Sequence, residues 1–296
     1  MDETRHIYER RRLRRRLALW RVLAVAAVAV AAGLWFWRDA AFGPFVARYA
    51  VTGVILADPE RDAMLREIAE DDDVEALILR IDSPGGSVPG SEALFEAVRA
   101  VAANKPVAAV MGEVAASGGY IAALAADRLI ARGGTLTGSI GVVAEYPNVE
   151  ELLEAIGVDV RKIASGPLKA EPSPFHEPDP AALDYAETLI ADSHDWFLGL
   201  VSDRRRLDPE RVRALGDGRV FTGRMALDAG LIDAIGGEPE AVAWLREARG
   251  VPGDLPIRDV EPERDGGVVD FVMGESRLLA RLERWAVGPR LMAILR

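Results

Sequence analysis

Apolar residues follow two different spacings along this chain. The first is an uncharged run from Val22 to Trp37, which reaches twenty-one residues when extended back to Leu17. A helix of that length crosses a hydrocarbon core of about 30 Å. Trp20 stands at one border and Trp35 and Trp37 at the other, where amphipathic rings favour the interface, and Arg21 can snorkel to the headgroups. Beyond this run, short apolar stretches alternate with amphipathic ones. Val51–Ala57 predicts a strand, and residues 60–70 predict a helix with Met64, Leu65 and Ile68 on one face. Val74–Ile81 predicts a buried strand ending in the turn Asp82-Ser83-Pro84-Gly85-Gly86, followed by a helix near 89–103. The strand Pro106–Met111 comes next, then a helix beginning at or just after Ser117. Val158–Ile163 predicts another strand, 180–203 a long helix, and 208–215, 223–229 and 238–249 shorter ones. Ser276–Arg296 has the pattern of an amphipathic helix, suited to a membrane surface, a neighbouring subunit or closure of the fold.

Strands alternating with helices in this way predict an α/β fold with a mainly parallel sheet and helical crossovers. The succession of strand, glycine turn and helix recurs between 74 and 126, a hint of repeated ββα units. The chain divides into a basic tip (1–16), a transmembrane signal anchor (17–37), a link (38–46), a body (47–250) and a C-terminal extension (251–296).

Charge gives the anchor a direction. The first 21 residues carry eight arginines against Asp2, Glu3 and Glu9, while the whole chain has a net charge of −11. Arginines at 10–16 hold the N-terminus on the cytoplasmic side, which puts the body outside the membrane. A cleaved signal peptide is the competing reading, which the length of the apolar run disfavours. The acidic body argues against a nucleic-acid partner. With no cysteine, disulfides, thiolate catalysis and cysteine-bound metals are excluded. No histidine–carboxylate cluster suggests a metal and no phosphate loop suggests a nucleotide, so no cofactor is expected.

The candidate chemistry centres on Ser117, in Ala115-Ala116-Ser117-Gly118-Gly119-Tyr120, and Lys169, in Gly166-Pro167-Leu168-Lys169. Lys169 is one of only three lysines, beside Lys105 and Lys162, against thirty-three arginines. Lysine can lose its proton near neutral pH and arginine cannot. A serine among glycines followed by such a lysine suggests a nucleophile and its general base. The base would need its pKa lowered by apolar surroundings, which Pro167, Leu168, Pro172, Pro174 and Phe175 would supply. Gly86 after the first buried strand and Gly118 after the nucleophile offer bare N–H groups for an oxyanion hole. Ser139, in Leu136-Thr137-Gly138-Ser139-Ile140-Gly141, would orient the lysine. Each residue also has a plain reading: Ser117 as a helix N-cap, the Gly85-Gly86 turn as a strand-to-helix corner, Lys169 as a solvated charge. Of the three histidines, His6, His176 and His194, none stands in a context that suggests a Ser-His-Asp triad.

Taken together, Leu79-Arg80-Ile81-Asp82-Ser83-Pro84-Gly85-Gly86-Ser87-Val88, Ala116-Ser117-Gly118-Gly119-Tyr120, Leu136-Thr137-Gly138-Ser139-Ile140-Gly141-Val142, Ser165-Gly166-Pro167-Leu168-Lys169 and the block Gly218–Gly237 resemble the S49 family of bacterial signal peptide peptidases, in its short form. The resemblance covers roughly residues 48–250. It implies a fold similar to the Clp protease/crotonase superfamily, with Ser117 as nucleophile, Lys169 as base, Ser139 steadying the lysine, and Gly86 and Gly118 as oxyanion donors. It implies a homo-oligomer in which adjacent subunits share the active site. The expected activity is membrane-anchored serine endopeptidase action on signal-peptide remnants and other apolar peptides. Where many relatives have an acidic residue directly after the lysine, this chain has Ala170 and then Glu171. A crotonase-like acyl-thioester enzyme and a non-catalytic anchored scaffold remain the alternatives.

Overall fold

The computed structural model describes residues 43–262 together with residues 20, 21, 23–28 and 30. The last group is helical and exposed. Most of the anchor predicted over 17–37, and all of the amphipathic helix predicted over 276–296, lie outside the described residues. Among the described residues no helix is long and apolar enough to cross a membrane.

The body is built on three long strands, β1 (Phe45–Ile55), β2 (Val74–Gly86) and β3 (Val107–Ala116), separated by helices α1 (Pro59–Glu70) and α2 (Val88–Asn104). A short helix, α3 (Gly118–Leu124), follows β3 directly. β4 (Arg128–Ala131), β5 (Leu136–Gly138), α4 (Glu150–Ala155), α5 (Pro180–Arg205), α6 (Pro209–Leu215), β6 (Val220–Thr222), α7 (Gly223–Ala229), β7 (Ala234–Ile235), α8 (Glu238–Arg249) and β8 (Ile257–Asp259) complete the described order.

Each long strand serves two rows of the sheet. The β1–β2 ladder shifts register between Thr52 and Val54, and the β2–β3 ladder between Ile81 and Ser83. Such irregularities bend a strand and let its two halves take different neighbours. Ala108–Met111 of β3 pairs with β4, whereas Val114–Ala116 pairs with β5. One row therefore runs β8-β1-β2-β3-β4-β7, all parallel, and the other β1-β2-β3-β5-β6, antiparallel only at the β5–β6 step. The anticipated ββα repeat takes the form of one bent strand followed by one helix. At the β2 bend, Asp82 Oδ1 accepts the Val114 N–H (3.1 Å), giving a partner to backbone where the ladder is interrupted.

Side-chain alternation places the core on both faces of the sheet. Leu77, Leu79, Ala109 and Met111 pack with Leu65 of α1, Leu94 and Val98 of α2, α3, and Phe197 and Val201 of α5. The intervening Ala76, Ile78, Ala108 and Val110 pack with Ala241 and Leu245 of α8. Helix starts carry clear capping signals: Asp58, Asp179 and Asp208 each precede a proline and accept a backbone N–H from the first turn.

Several expectations differ from the fold: β2 and β3 run on to Gly86 and Ala116, past their predicted ends at Ile81 and Met111, and strands β4–β8 were not anticipated. β1 begins at Phe45, six residues before the predicted start, because β2 pairs with Phe45–Ala50 on one side and β8 with Val46–Arg48 on the other. Val158–Ile163 forms no strand; its apolar residues are exposed and no neighbouring edge pairs with it among the described residues. α4, which buries none of its residues, was not anticipated. It is the only helix of the excursion from Ser139 to Asp179, which leaves Val143, Leu152, Ile156, Ile163, Leu168 and Phe175 exposed.

Candidate active site

Ser117 occupies the step from β3 into α3 with φ 53° and ψ −120°. This backbone conformation costs a non-glycine residue about 1–3 kcal/mol and persists where surroundings over-determine it. Here the Ser117 N–H donates to Gly138 O (2.8 Å), and its carbonyl accepts from Tyr120 N (2.9 Å) and Ile121 N (3.0 Å). The hydroxyl makes no capping bond, so the plain N-cap reading does not hold. A sharp strand-to-helix elbow with a strained serine at its tip is the form used to expose a nucleophile.

α3 is immobilised from behind. All seven of its residues are buried, and the Tyr120 hydroxyl donates to Leu231 O (2.7 Å). Burial pushes the pKa of that phenol far above the ordinary tyrosine range, so it remains a neutral donor. At the other end Arg204 of α5 donates to Leu124 O (2.7 Å), the last carbonyl of α3, and to Ala126 O (2.9 Å) just beyond it.

The glycine turn of β2 lies against this elbow. A Cβ placed on Gly85, which has φ +118°, would come within 2.9 Å of Ser117 Cβ and 3.0 Å of Gly118 N. A Cβ on Gly118 would fall 3.1 Å from Gly86 N. Ile55 O accepts the Ser87 N–H (2.9 Å), and in a parallel ladder the intervening Gly86 N–H then points away from β1. The two candidate oxyanion donors, Gly86 and Gly118, thus lie together at the Ser117 elbow. Ser83 shapes the turn: its buried hydroxyl donates to Gly53 O (2.6 Å) and accepts the Gly85 N–H (3.1 Å).

Ser139 follows Gly138, the acceptor of the Ser117 N–H, and also has a positive φ, 49°. Its N–H donates to Arg219 O (2.9 Å). Arg219 is held by Asp217, whose carboxyl is lowered to about 2, chiefly by the hydrogen bond from that guanidinium. The fold therefore brings Ser117, Gly86, Gly118 and the Gly138-Ser139 turn together.

Lys169 stands apart in the 139–179 excursion. Its N–H donates to Gly166 O (3.2 Å) and its carbonyl accepts from Lys162 Nζ (3.1 Å). Its side chain is exposed, and among the described residues no hydrogen bond joins it to Ser117 or Ser139. The apolar enclosure expected from Pro167, Leu168 and Phe175 is not formed within one chain, because Leu168 and Phe175 are themselves 43% and 46% exposed. The other histidines offer no alternative base: His176 lies against Glu171, and His194 on α5 keeps a buried Nε2 without a partner.

Two features were not anticipated. Ser91, in the first turn of α2, is 1% exposed, and its hydroxyl has no partner although a Cβ on Gly118 would fall 2.2 Å from it. Its position four residues after the Ser87 cap, on the buried face of α2, was the available sequence signal. The second is a Lys162–Glu171–His176 cluster beside Lys169, for which the sequence offered only the displaced acidic residue.

The sequence model of peptidase family S49 matches residues 99–252. A Synechocystis protein carrying a protease name is 38% identical over 235 residues, covering 79% of this chain and 84% of that protein. Protease 4 of Salmonella typhi is 39% identical over 231 residues, covering 77% of this chain but 36% of the longer relative. A solved structure of a mutant of the membrane-bound stomatin-specific protease 1510-N aligns with a TM-score of 0.48 at 17% identity, covering 75% of this chain and 99% of that one. The family match spans the nucleophile elbow, the Gly138-Ser139 turn and the lysine segment, and the chain belongs to peptidase family S49.

Proposed function

We propose that this protein is a serine endopeptidase in which Ser117 attacks the peptide carbonyl and Lys169 acts as general base. The observation that carries the reading is the Ser117 elbow: a strained, uncapped serine packed against Gly85, with Gly86 N beside Gly118. Attack by Ser117 Oγ puts negative charge on the carbonyl oxygen, which the two glycine N–H groups would receive; such a donor is worth about 10²–10³-fold in rate. Lys169 Nζ takes the hydroxyl proton and returns it to the leaving amine, giving an acyl-enzyme that water then hydrolyses. Ser139 would orient the amine. A non-catalytic scaffold gives no reason to keep strain at Ser117.

The exposed Lys169 segment and the apolar residues around it support a base delivered to a neighbouring copy, in a homo-oligomer whose sites are shared between subunits. The basic tip and apolar run of residues 1–37 support an N-terminal anchor in the bacterial plasma membrane, with the body on its outer face. At that surface, released signal peptides and other apolar peptides are the substrates within reach.

Hydrolysis of a signal-peptide sequence by the detergent-solubilised protein tests this reading. Wild type is expected to cleave it, more rapidly as pH rises from mildly acidic to alkaline, and Ser117→Ala and Lys169→Ala are expected to lose cleavage. Undiminished cleavage by Ser117→Ala would end the proposal.

A further inference from the structure

We infer that Lys162 and Glu171 are positioning residues for Lys169, forming a clamp that fixes the backbone from which the base projects. The inference rests on Lys169 being that base. Residues 161–176 contain neither helix nor strand, so no ladder of backbone bonds defines their shape. The carboxylate of Glu171 does so instead. Its side chain is 4% exposed although the residues around it are mostly at the surface. One oxygen pairs with Lys162 Nζ and lies 3.2 Å from His176 Nε2, and the other accepts the Ser173 N–H at 3.1 Å. Lys162 Nζ also reaches back to the carbonyl of Lys169 (3.1 Å). A single ammonium with three donors can meet a carboxylate and a carbonyl together.

Lys169 is consequently held at both of its peptide groups, by Gly166 O on the N–H side and Lys162 on the carbonyl side. The next residue, Ala170, sits at φ +62°, a left-handed conformation that favours glycine. Strain in a non-glycine residue directly beside the base is maintained by the anchors on either side of it. Glu171 is also kept more acidic than an ordinary glutamate, chiefly by the Lys162 hydrogen bond and then by His176. All of these contacts lie within residues 162–176, so the segment would present Lys169 in the same form to a serine of its own chain or of another.

The test compares full-length wild type with Glu171→Gln, Lys162→Met and the double variant. Each single change is expected to lower kcat about tenfold or more while KM stays within about twofold, and the double variant is expected to lose no more than the worse single one. Amide exchange of a peptide spanning 162–173 is expected to speed up about tenfold in each variant, with β2 and β3 unchanged. A kcat unchanged in both single variants, or losses that multiply in the double, would overturn the inference. If Lys169→Ala remains active, the base assignment fails; the exchange measurement then decides the clamp separately, and unaltered exchange would overturn it. Glu171→Gln keeps the side-chain shape and serves if Lys162→Met fails to fold.

Discussion

Adding a methyl group at Gly118 is expected to destabilise the protein, and removing the Ser91 hydroxyl is expected to rescue it. The new Cβ would lie 2.2 Å from Ser91 Oγ, inside a packed contact between α2 and α3. Ser91 is 1% exposed in that contact, so relief requires its hydroxyl to turn away or the helices to part. Overpacking of this kind costs about 1–3 kcal/mol. In a domain of this size each kcal/mol lowers Tm by about 2–4 °C. Ser91→Ala alone removes a hydroxyl that has no hydrogen-bond partner, so no bond is lost and the change is neutral or stabilising. With Oγ gone, the nearest contacts for the Gly118→Ala methyl become Gly86 N at 3.1 Å and Ser91 Cβ at 3.2 Å, which a small adjustment accommodates. The two changes should therefore couple by about 1–2 kcal/mol, the double variant being more stable than the sum predicts. Denaturant unfolding of the four proteins measures this. Additivity within about 0.5 kcal/mol, or a Gly118→Ala protein as stable as wild type, would refute the packing described here.

Three further outcomes are expected. Ser117→Gly should be more stable than Ser117→Ala by about 1 kcal/mol, since glycine adopts the φ of 53° without strain, and equal melting temperatures would deny that strain. Gly86→Ala would drive a methyl to 1.8 Å from Ile55 O and displace an oxyanion donor, so peptide hydrolysis should fall by about 10²–10³-fold and stability should drop; an active, stable variant would remove Gly86 from the site. The Glu171 carboxyl, lowered chiefly by Lys162, contributes stability that is fully present above its unfolded value of about 4.3 and is lost as pH falls through its lower folded value. The Tm difference between wild type and Glu171→Gln should therefore be present at pH 6 and close in stronger acid, and a difference that survives there would contradict the pairing.

Most helices of the body were legible because their ends carry local chemistry. Asp58-Pro59, Asp179-Pro180 and Asp208-Pro209 each state where a helix begins, and Thr222 and Gly230 bracket α7. Strand extent was less legible because pairing partners decide it. β1 continues back to Phe45 beside β2 and β8, whereas Val158–Ile163 has a strand-like pattern and no partner edge among the described residues. The glycines beside Ser117 were legible because a backbone that close to another admits only glycine at 85, 86 and 118. The reasoning from lysine rarity needs amendment. Lys105 donates to Asp71 O and Val74 O, and Lys162 to Lys169 O, so two of the three lysines act as charged clamps on carbonyls. Scarcity alone does not mark a proton acceptor; what sets Lys169 apart is its place in the family segment and the clamp beside it.

Labelling with a serine-reactive fluorophosphonate, followed by peptide mapping of the detergent-solubilised protein, tests the Ser117–Lys169 pair most directly. Labelling of wild type is predicted on Ser117, absent in Ser117→Ala and strongly reduced in Lys169→Ala. A label that maps to another serine, or that forms equally well without Lys169, would contradict the account.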